Sequence, residues 1–178
     1  MARANITPTQ KEIFLKEEDF IVSKTDLKSK IEYGNEIFIQ MSGYDESELL
    51  GKNHNILRHP DMPKCAFKVL YNHIQDNDQE WFGFVKNLRK DGGFYWVFAN
   101  ISPTFSATGQ KVGYYSVRRK PRDGFKQIIE PLYQQLKEIE ARGGMEASLK
   151  AVNDLLKSKG LTFNELMIKI QKGIINEL

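Results

Sequence analysis

Between residues 81 and 120 the chain runs three times through aromatic and β-branched residues separated by turn formers, and few folds can absorb that pattern. Trp81 to Lys90 and Phe94 to Phe105 flank Asp91-Gly92-Gly93, a hairpin signal, because glycine reaches the positive-φ conformations that tight turns need. Ala107-Thr108-Gly109-Gln110 leads into a third run, Val112 to Lys120, so a three-stranded antiparallel meander is expected. Alternate strand residues share a face. Trp81, Gly83, Val85 and Asn87 therefore lie on one side, as do Tyr114, Ser116 and Arg118, with Tyr115, Val117 and Arg119 opposite. A carboxamide among apolar neighbours must find partners or cost about 1 to 3 kcal/mol, and its paired donor and acceptor suit a heterocycle edge. Trp96, Phe98 and Asn100 face away from Val97, Ala99 and Ile101. That outer face is expected to be covered by the N-terminal segment or a partner, and Asn100 is not counted as a ligand contact.

Upstream, Asp19 to Lys24, ended by Thr25-Asp26, and Lys30 to Tyr33 read as two short strands. Residues 8–17 read as a short N-terminal helix. Glu36 to Met41 and Glu46 to Leu50 read as small helices separated by Gly43, with Asp45 or Ser47 as a cap, and Lys64 to Asp76 as an amphipathic helix. From Phe125 onward Ile128, Ile129, Leu132, Leu136 and Ile139 recur at helical spacing until Gly143-Gly144, and two more helices fit Glu146 to Ser158 and Thr162 to Ile175. This tail cannot bury its apolar stripes alone and must pack on the sheet, on itself or on another chain. The fold class is α+β, a five-stranded antiparallel sheet flanked by short helices, divided into an N-terminal cap (1–17), a core domain (18–122) and a helical tail (123–178).

With 178 residues the chain suits one core plus an appendage. A composition 40% hydrophobic and 28% charged is globular, and no window approaches the roughly 18 apolar residues of a membrane span. The first sixteen residues hold no apolar block of the secretory kind, and a lone Cys65 excludes an internal disulfide framework, so a reducing cytoplasm is expected. Lys86, Arg89, Lys90, Lys111, Arg118, Arg119, Lys120 and Arg122 face a single Asp91 within their stretch, yet charges alternating along strands mark a solvated face rather than a nucleic-acid surface.

Asn53 to Pro63 crowds His54, Arg58, His59 and Asp61 into eleven residues bounded by prolines, a shaped loop suited to gripping a polar ligand. The spacing follows no standard zinc pattern and no thiolate is near, so no metal is expected. His73 sits on the apolar side of its helix, where it reads as a packed residue; it is also what a haem-binding domain would need as an axial ligand.

Three blocks carry a family resemblance: Asn53 to Lys64; Trp81 with Gly83 to Lys90; and Tyr95 to Asn100. Together with the element order they resemble the FAD-binding PAS domain of bacterial aerotaxis receptors. The resemblance implies non-covalent FAD and redox sensing, with Arg58, His59, Asp61, Trp81 and Asn87 as the flavin cradle; Asn35, His54 and Asn55 match too. It places Arg58 and His59 toward the pyrophosphate or adenine, the Trp81 indole against a ring, Asn87 at the pyrimidine edge, and Asp61 behind Arg58 or His59. Gly51 to Leu57 is also similar to light-oxygen-voltage domains, with His54 where those domains carry their adduct-forming cysteine and Arg118 where they place a glutamine. A guanidinium there favours an anionic reduced flavin. Aerotaxis receptors continue into a membrane anchor and a signalling region. The expected arrangement is a stand-alone, non-enzymatic sensor that relays to a membrane-bound chemotaxis-type transducer, its tail serving docking or homodimerisation. The alternatives are a haem gas sensor and a ligand-free interaction module.

Overall fold

The computed structural model describes residues 6–178; residues 1–5 of the expected N-terminal cap lie outside them. Strands β1 (Phe20–Asp26), β2 (Ile31–Gly34), β3 (Trp81–Leu88), β4 (Phe94–Phe105) and β5 (Lys111–Arg119) form one antiparallel sheet in the order β2-β1-β5-β4-β3. The meander is the expected one. Its register pairs Trp81 with Ile101, Gly83 with Ala99, Val85 with Val97 and Asn87 with Tyr95, and these residues point to the inner face. Phe84, Trp96 and Phe98 point outward.

Helices α1 (Glu36–Ser42), α2 (Glu46–Leu49) and α3 (Lys64–Tyr71) lie between β2 and β3 in the chain; α1 packs on β1 and β2, and α3 walls the cavity over the inner face. Local chemistry sets their ends. Asn35 caps α1, its Oδ1 accepting the Phe38 N–H at 3.0 Å, and Gly43 closes the helix in the left-handed conformation. Asp45 opens α2 with a capping box to Glu48. A 3-10 turn covers His54–Leu57. The amphipathic helix is shorter than its pattern predicts, passing after Tyr71 into a π turn, Asn72–Asp76.

Residues 8–17 form no helix, which corrects the expectation. Strand β4 begins before its pairing with β5 starts at Phe98, so Phe94 is left with an open side. The N-terminal segment fills it in extended form: the Ile13 N–H donates to the Phe94 carbonyl at 2.8 Å, and the Phe94 N–H to the Lys11 carbonyl at 2.9 Å. A ten-residue helix is marginal on its own, and pairing with an exposed strand outweighs it.

The tail packs on its own sheet. Helix α4 (Lys126–Lys159) carries the expected break as a kink at Gly144, whose φ of 76° leaves the helical region. Its first half covers the outer face: Phe125 stacks on Phe84 (5.2 Å between centroids, 7° between planes) and meets Trp96 edge-on at 5.4 Å, while the Tyr133 hydroxyl donates to the Phe84 carbonyl at 2.8 Å. Helix α5 (Phe163–Gln171) closes the edge of β3. The Asn164 carboxamide accepts from the Phe82 N–H and donates to the Glu80 carbonyl, both at 2.9 Å, as a neighbouring strand would.

Glycine at position 83 makes room for one side chain: a Cβ there would lie 2.3 Å from the Trp81 indole. Gly83→Ala is expected to push the indole off its seat and to cost about 1 to 3 kcal/mol, read as a lowered urea midpoint.

Candidate functional site

Four strands and one helical wall enclose a cavity of about 330 Å³, within the usual range for small-molecule sites. Its floor is the inner face of the sheet: Ser23 and Thr25 from β1, Val85 and Asn87 from β3, Ile101 from β4, and Tyr114, Ser116 and Arg118 from β5. Its wall is His54, Asn55 and Arg58 on one side and Phe67, Leu70, Tyr71 and Ile74 of α3 and the π turn on the other. The strands deliver polar groups here because their inward positions, apolar at Ile21 and Val97, become Ser23, Asn87, Ser116 and Arg118 toward the cavity.

Arg118 dominates the electrostatics. The residue is 4% exposed, and none of the ion pairs among the described residues involves it. Its Nη2 donates to Ser23 Oγ and to His54 Nε2, each at 2.8 Å, while Nη1 has no partner among the described residues. Burial lowers its pKa to about 10, opposed by the nearby Tyr95 phenol, so it stays protonated at neutral pH. Burial, then the charge of Arg118, lower His54 to about 3. The imidazole is neutral and accepts through Nε2, which assigns its proton to Nδ1. Burial raises the Tyr95 phenol to about 12.

Two further cavity atoms, Asn87 Nδ2 and Ser116 Oγ, are buried without a partner among the described residues. An unsatisfied buried donor costs about 1 to 3 kcal/mol. Here three such atoms line one cavity: Arg118 Nη1 and Asn87 Nδ2 are obligate donors, the first of them part of a full cation, and the Ser116 hydroxyl can donate or accept. The arrangement fits a flat ligand with acceptor atoms along its edge and negative charge near Arg118.

The structure gathers His54, Asn55, Arg58, Asn87 and Arg118 at the cavity and sends the other sequence-derived candidates elsewhere. Asn35 is consumed by structure: beyond its cap, it accepts from the Val22 N–H at 3.0 Å and donates to the Phe20 carbonyl at 2.7 Å. His59 is buried against Phe94, its Nδ1 accepting the Asp61 N–H at 3.1 Å. Asp61 takes the Lys86 ammonium at 2.7 Å on the outside of the loop. Burial alone would raise the Asp61 carboxyl, but Lys86 holds it below the usual carboxylate range. Trp81 stacks on Phe163 of α5 (5.9 Å, 18°) and is not part of the cavity lining. Arg58 lies 4.2 Å over the Phe67 ring, and its backbone pairs with Asn87 at the edge of β3. Sequence reasoning missed Ser23, Thr25 and Tyr71, and named Tyr114 and Ser116 only as sharing a face. Alternation of Ile21, Ser23 and Thr25 in one strand is the signal that would have found the first two.

Other candidates resolve similarly. The His73 Nδ1 lies 2.8 Å from the Val69 carbonyl and its ring packs near Phe163, outside the cavity lining. Cys65 is fully buried, its thiol raised to about 11 by burial, and does not line the cavity. The basic stretch is divided among carboxylates: Lys86 with Asp61, Arg89 with Asp91, Lys90 with Glu48, Lys111 with Asp78 and Lys120 with Glu17. No helix among the described residues is long and apolar enough to cross a membrane.

Residues 31–118 match the family profile of the PAS fold. The aerotaxis receptor of Escherichia coli (strain K12) is 42% identical over 128 residues, which is 72% of this chain and 25% of the receptor. The nitrogen fixation regulatory protein of Klebsiella oxytoca is 30% identical over 98 residues, 55% of this chain and 20% of that protein. The chain thus spans a quarter or less of these relatives. Among solved structures, the dark state of the blue-light photoreceptor Aureochrome1 LOV superposes with a TM-score of 0.54 at 22% identity, covering 69% of this chain and 86% of that one, a likeness of fold. The five-stranded sheet with its helices is the PAS fold.

Proposed function

We propose that this PAS-fold chain binds FAD non-covalently in the cavity and acts as a cytoplasmic redox sensor, not an enzyme, that passes the flavin's redox state to a membrane-bound transducer of the chemotaxis type. The observation that carries the reading is the buried Arg118 cation, with no carboxylate partner among the described residues, in the same cavity as Asn87 Nδ2, a buried donor likewise without a partner among them. Similarity to an aerotaxis receptor over 72% of the chain supports it.

Bound flavin supplies electron storage, gaining negative charge on reduction. Arg118 would stabilise that charge in a buried site, through Nη1, which has no partner among the described residues. Neutral His54 and Ser23 hold the guanidinium in place through Nη2. Asn87 Nδ2 would donate to the pyrimidine edge. Asn55 and Arg58, on the loop wall, would take the phosphate side. His59 and Asp61 shape that loop rather than touch the ligand: His59 fills its inside, and Asp61 ties it to Lys86. A redox-dependent bond at Arg118 would act on β5 and, through Asn87, on β3, whose outer side α4 covers and whose edge α5 closes.

The visible spectrum of the protein as purified tests this. Expected are the two absorption bands of an oxidised flavin, bleached by dithionite, with FAD released on denaturation. A Soret band supports the haem alternative, and a colourless protein that takes up no added FAD supports the ligand-free module; either result defeats the reading.

A further inference from the structure

Helix α3 is a wall of the cavity, and it is held at both ends by charges from distant parts of the chain. Pro63, at its cap position, offers no capping side chain. Glu140 of α4 supplies the missing acceptor, taking the Lys64 N–H at 3.0 Å and the Cys65 N–H at 2.8 Å. Ser148, beyond the Gly144 kink, donates to the same carboxylate at 2.9 Å. Burial alone would raise the Glu140 carboxyl, but these bonds hold it below the usual carboxylate range, so it is ionised. At the other end the Lys111 ammonium donates to the Gln75 carbonyl at 2.7 Å. An anion at the N-terminus and a cation beyond the C-terminus both complement the helix dipole. One turn before Glu140, Lys137 donates to the Pro60 carbonyl at 2.7 Å, so a single stretch of α4 grips the chain on both sides of Pro63.

The geometry points to Glu140 as a positioning residue for the cavity: the tail seats α3, and cavity occupancy and tail docking form one linked equilibrium. The linkage follows from the contacts. α3 presents Phe67, Leu70 and Tyr71 to the cavity and its first two amide groups to the tail, so a ligand that prefers the seated wall also favours the docked tail. The sheet's outer face is a second attachment, made by Phe125 and Tyr133, and holds α4 in place while the latch past Lys137 opens or closes. The ligand in this inference is the flavin of the reading above; the latch itself is a property of the protein alone.

Three variants of the full chain test it. In the ligand-free protein, Glu140→Ala is expected to speed amide exchange in residues 64–71 and 145–159. In the flavin-loaded protein it is expected to raise the flavin dissociation rate at least about fivefold, the lower range of measured couplings. Glu140→Gln, which keeps an acceptor oxygen, recovers part of both. Asn164→Ala frees α5 from β3 without touching α3 and serves as the control for general loosening of the tail. Unchanged exchange in residues 64–71 of Glu140→Ala, or the same acceleration from Asn164→Ala, overturns the latch. If the wild-type protein binds no flavin, the exchange comparison still decides the latch, and only the FAD reading falls.

Discussion

Replacing Arg118 with methionine is expected to weaken flavin binding by about 10- to 150-fold while moving the melting temperature of the ligand-free protein by only a few degrees. The two halves of this result come from opposite terms. A hydrogen bond to a charged group contributes about 1.5 to 3 kcal/mol, and the ligand loses it. The empty fold loses something different: a buried cation that no acid among the described residues neutralises, whose desolvation opposes folding. Methionine fills comparable volume without that penalty. Against this, Ser23 Oγ and His54 Nε2 lose the donor they now share, at a cost of about 1 to 3 kcal/mol each where no water replaces it, so the terms nearly cancel. Arg118→Gln separates charge from hydrogen bonding. It keeps a donor, and the expected outcome is retained flavin with a lower midpoint potential, because the charge that favoured the reduced form is gone. Titrating FAD into both variants by fluorescence, with a dithionite titration of the glutamine variant, checks the pair. Wild-type affinity in Arg118→Met, or an unchanged potential in Arg118→Gln, removes Arg118 from the site.

Arg118 and Asn87 show what a sequence can disclose about such a site. Alternation assigns each to a face of its own strand, and the turns at Gly92 and Gly109 order β3, β4 and β5 as neighbours. That much is local. What alternation does not disclose is that β1 closes on β5, bringing Ser23 opposite Ser116 and next to Arg118, since the pairing joins residues far apart in the chain. The His54–Arg118 bond, which fixes the imidazole as an acceptor, is non-local for the same reason. Motif matching leaves a different gap. Asn35, His59, Asp61 and Trp81 fit a pattern shared with flavin-binding domains, yet a pattern does not distinguish a residue that lines a cavity from one that shapes the loop or strand beside it. Asn35 spends its whole carboxamide on backbone groups. Residues 8–17 pair with β4 instead of forming a helix because helical propensity over ten residues is weak, and the overhanging strand they pair with is visible only once the sheet is built. The tail was legible as three helical stretches but not as a clamp, because its partners, Phe84, Trp96 and the edge of β3, belong to the core.

Trp81 separates a cofactor role from a structural one. Its indole is 1% exposed, lies over Gly83 and stacks on Phe163, so it joins the sheet to α5 rather than facing the cavity. Trp81→Ala is therefore expected to destabilise the ligand-free protein by about 3 to 5 kcal/mol, the usual cost of emptying a large aromatic site. For a chain of this length that lowers the melting temperature on the order of 10 °C. Flavin loss would follow from the disturbed edge of β3, which carries Asn87, and not from a lost stacking contact. Trp81→Phe makes the distinction. Phenylalanine keeps a ring against Phe163 and removes an indole N–H that has no partner among the described residues, so most of the stability and nearly all of the bound flavin are expected to survive. An indole in contact with the flavin gives the reverse: Trp81→Phe shifts the absorption bands and tightens or weakens binding, while Trp81→Ala leaves the melting temperature of the empty protein near that of wild type. Thermal unfolding of the ligand-free variants, set beside the FAD content and spectra of the loaded ones, decides which role the residue has.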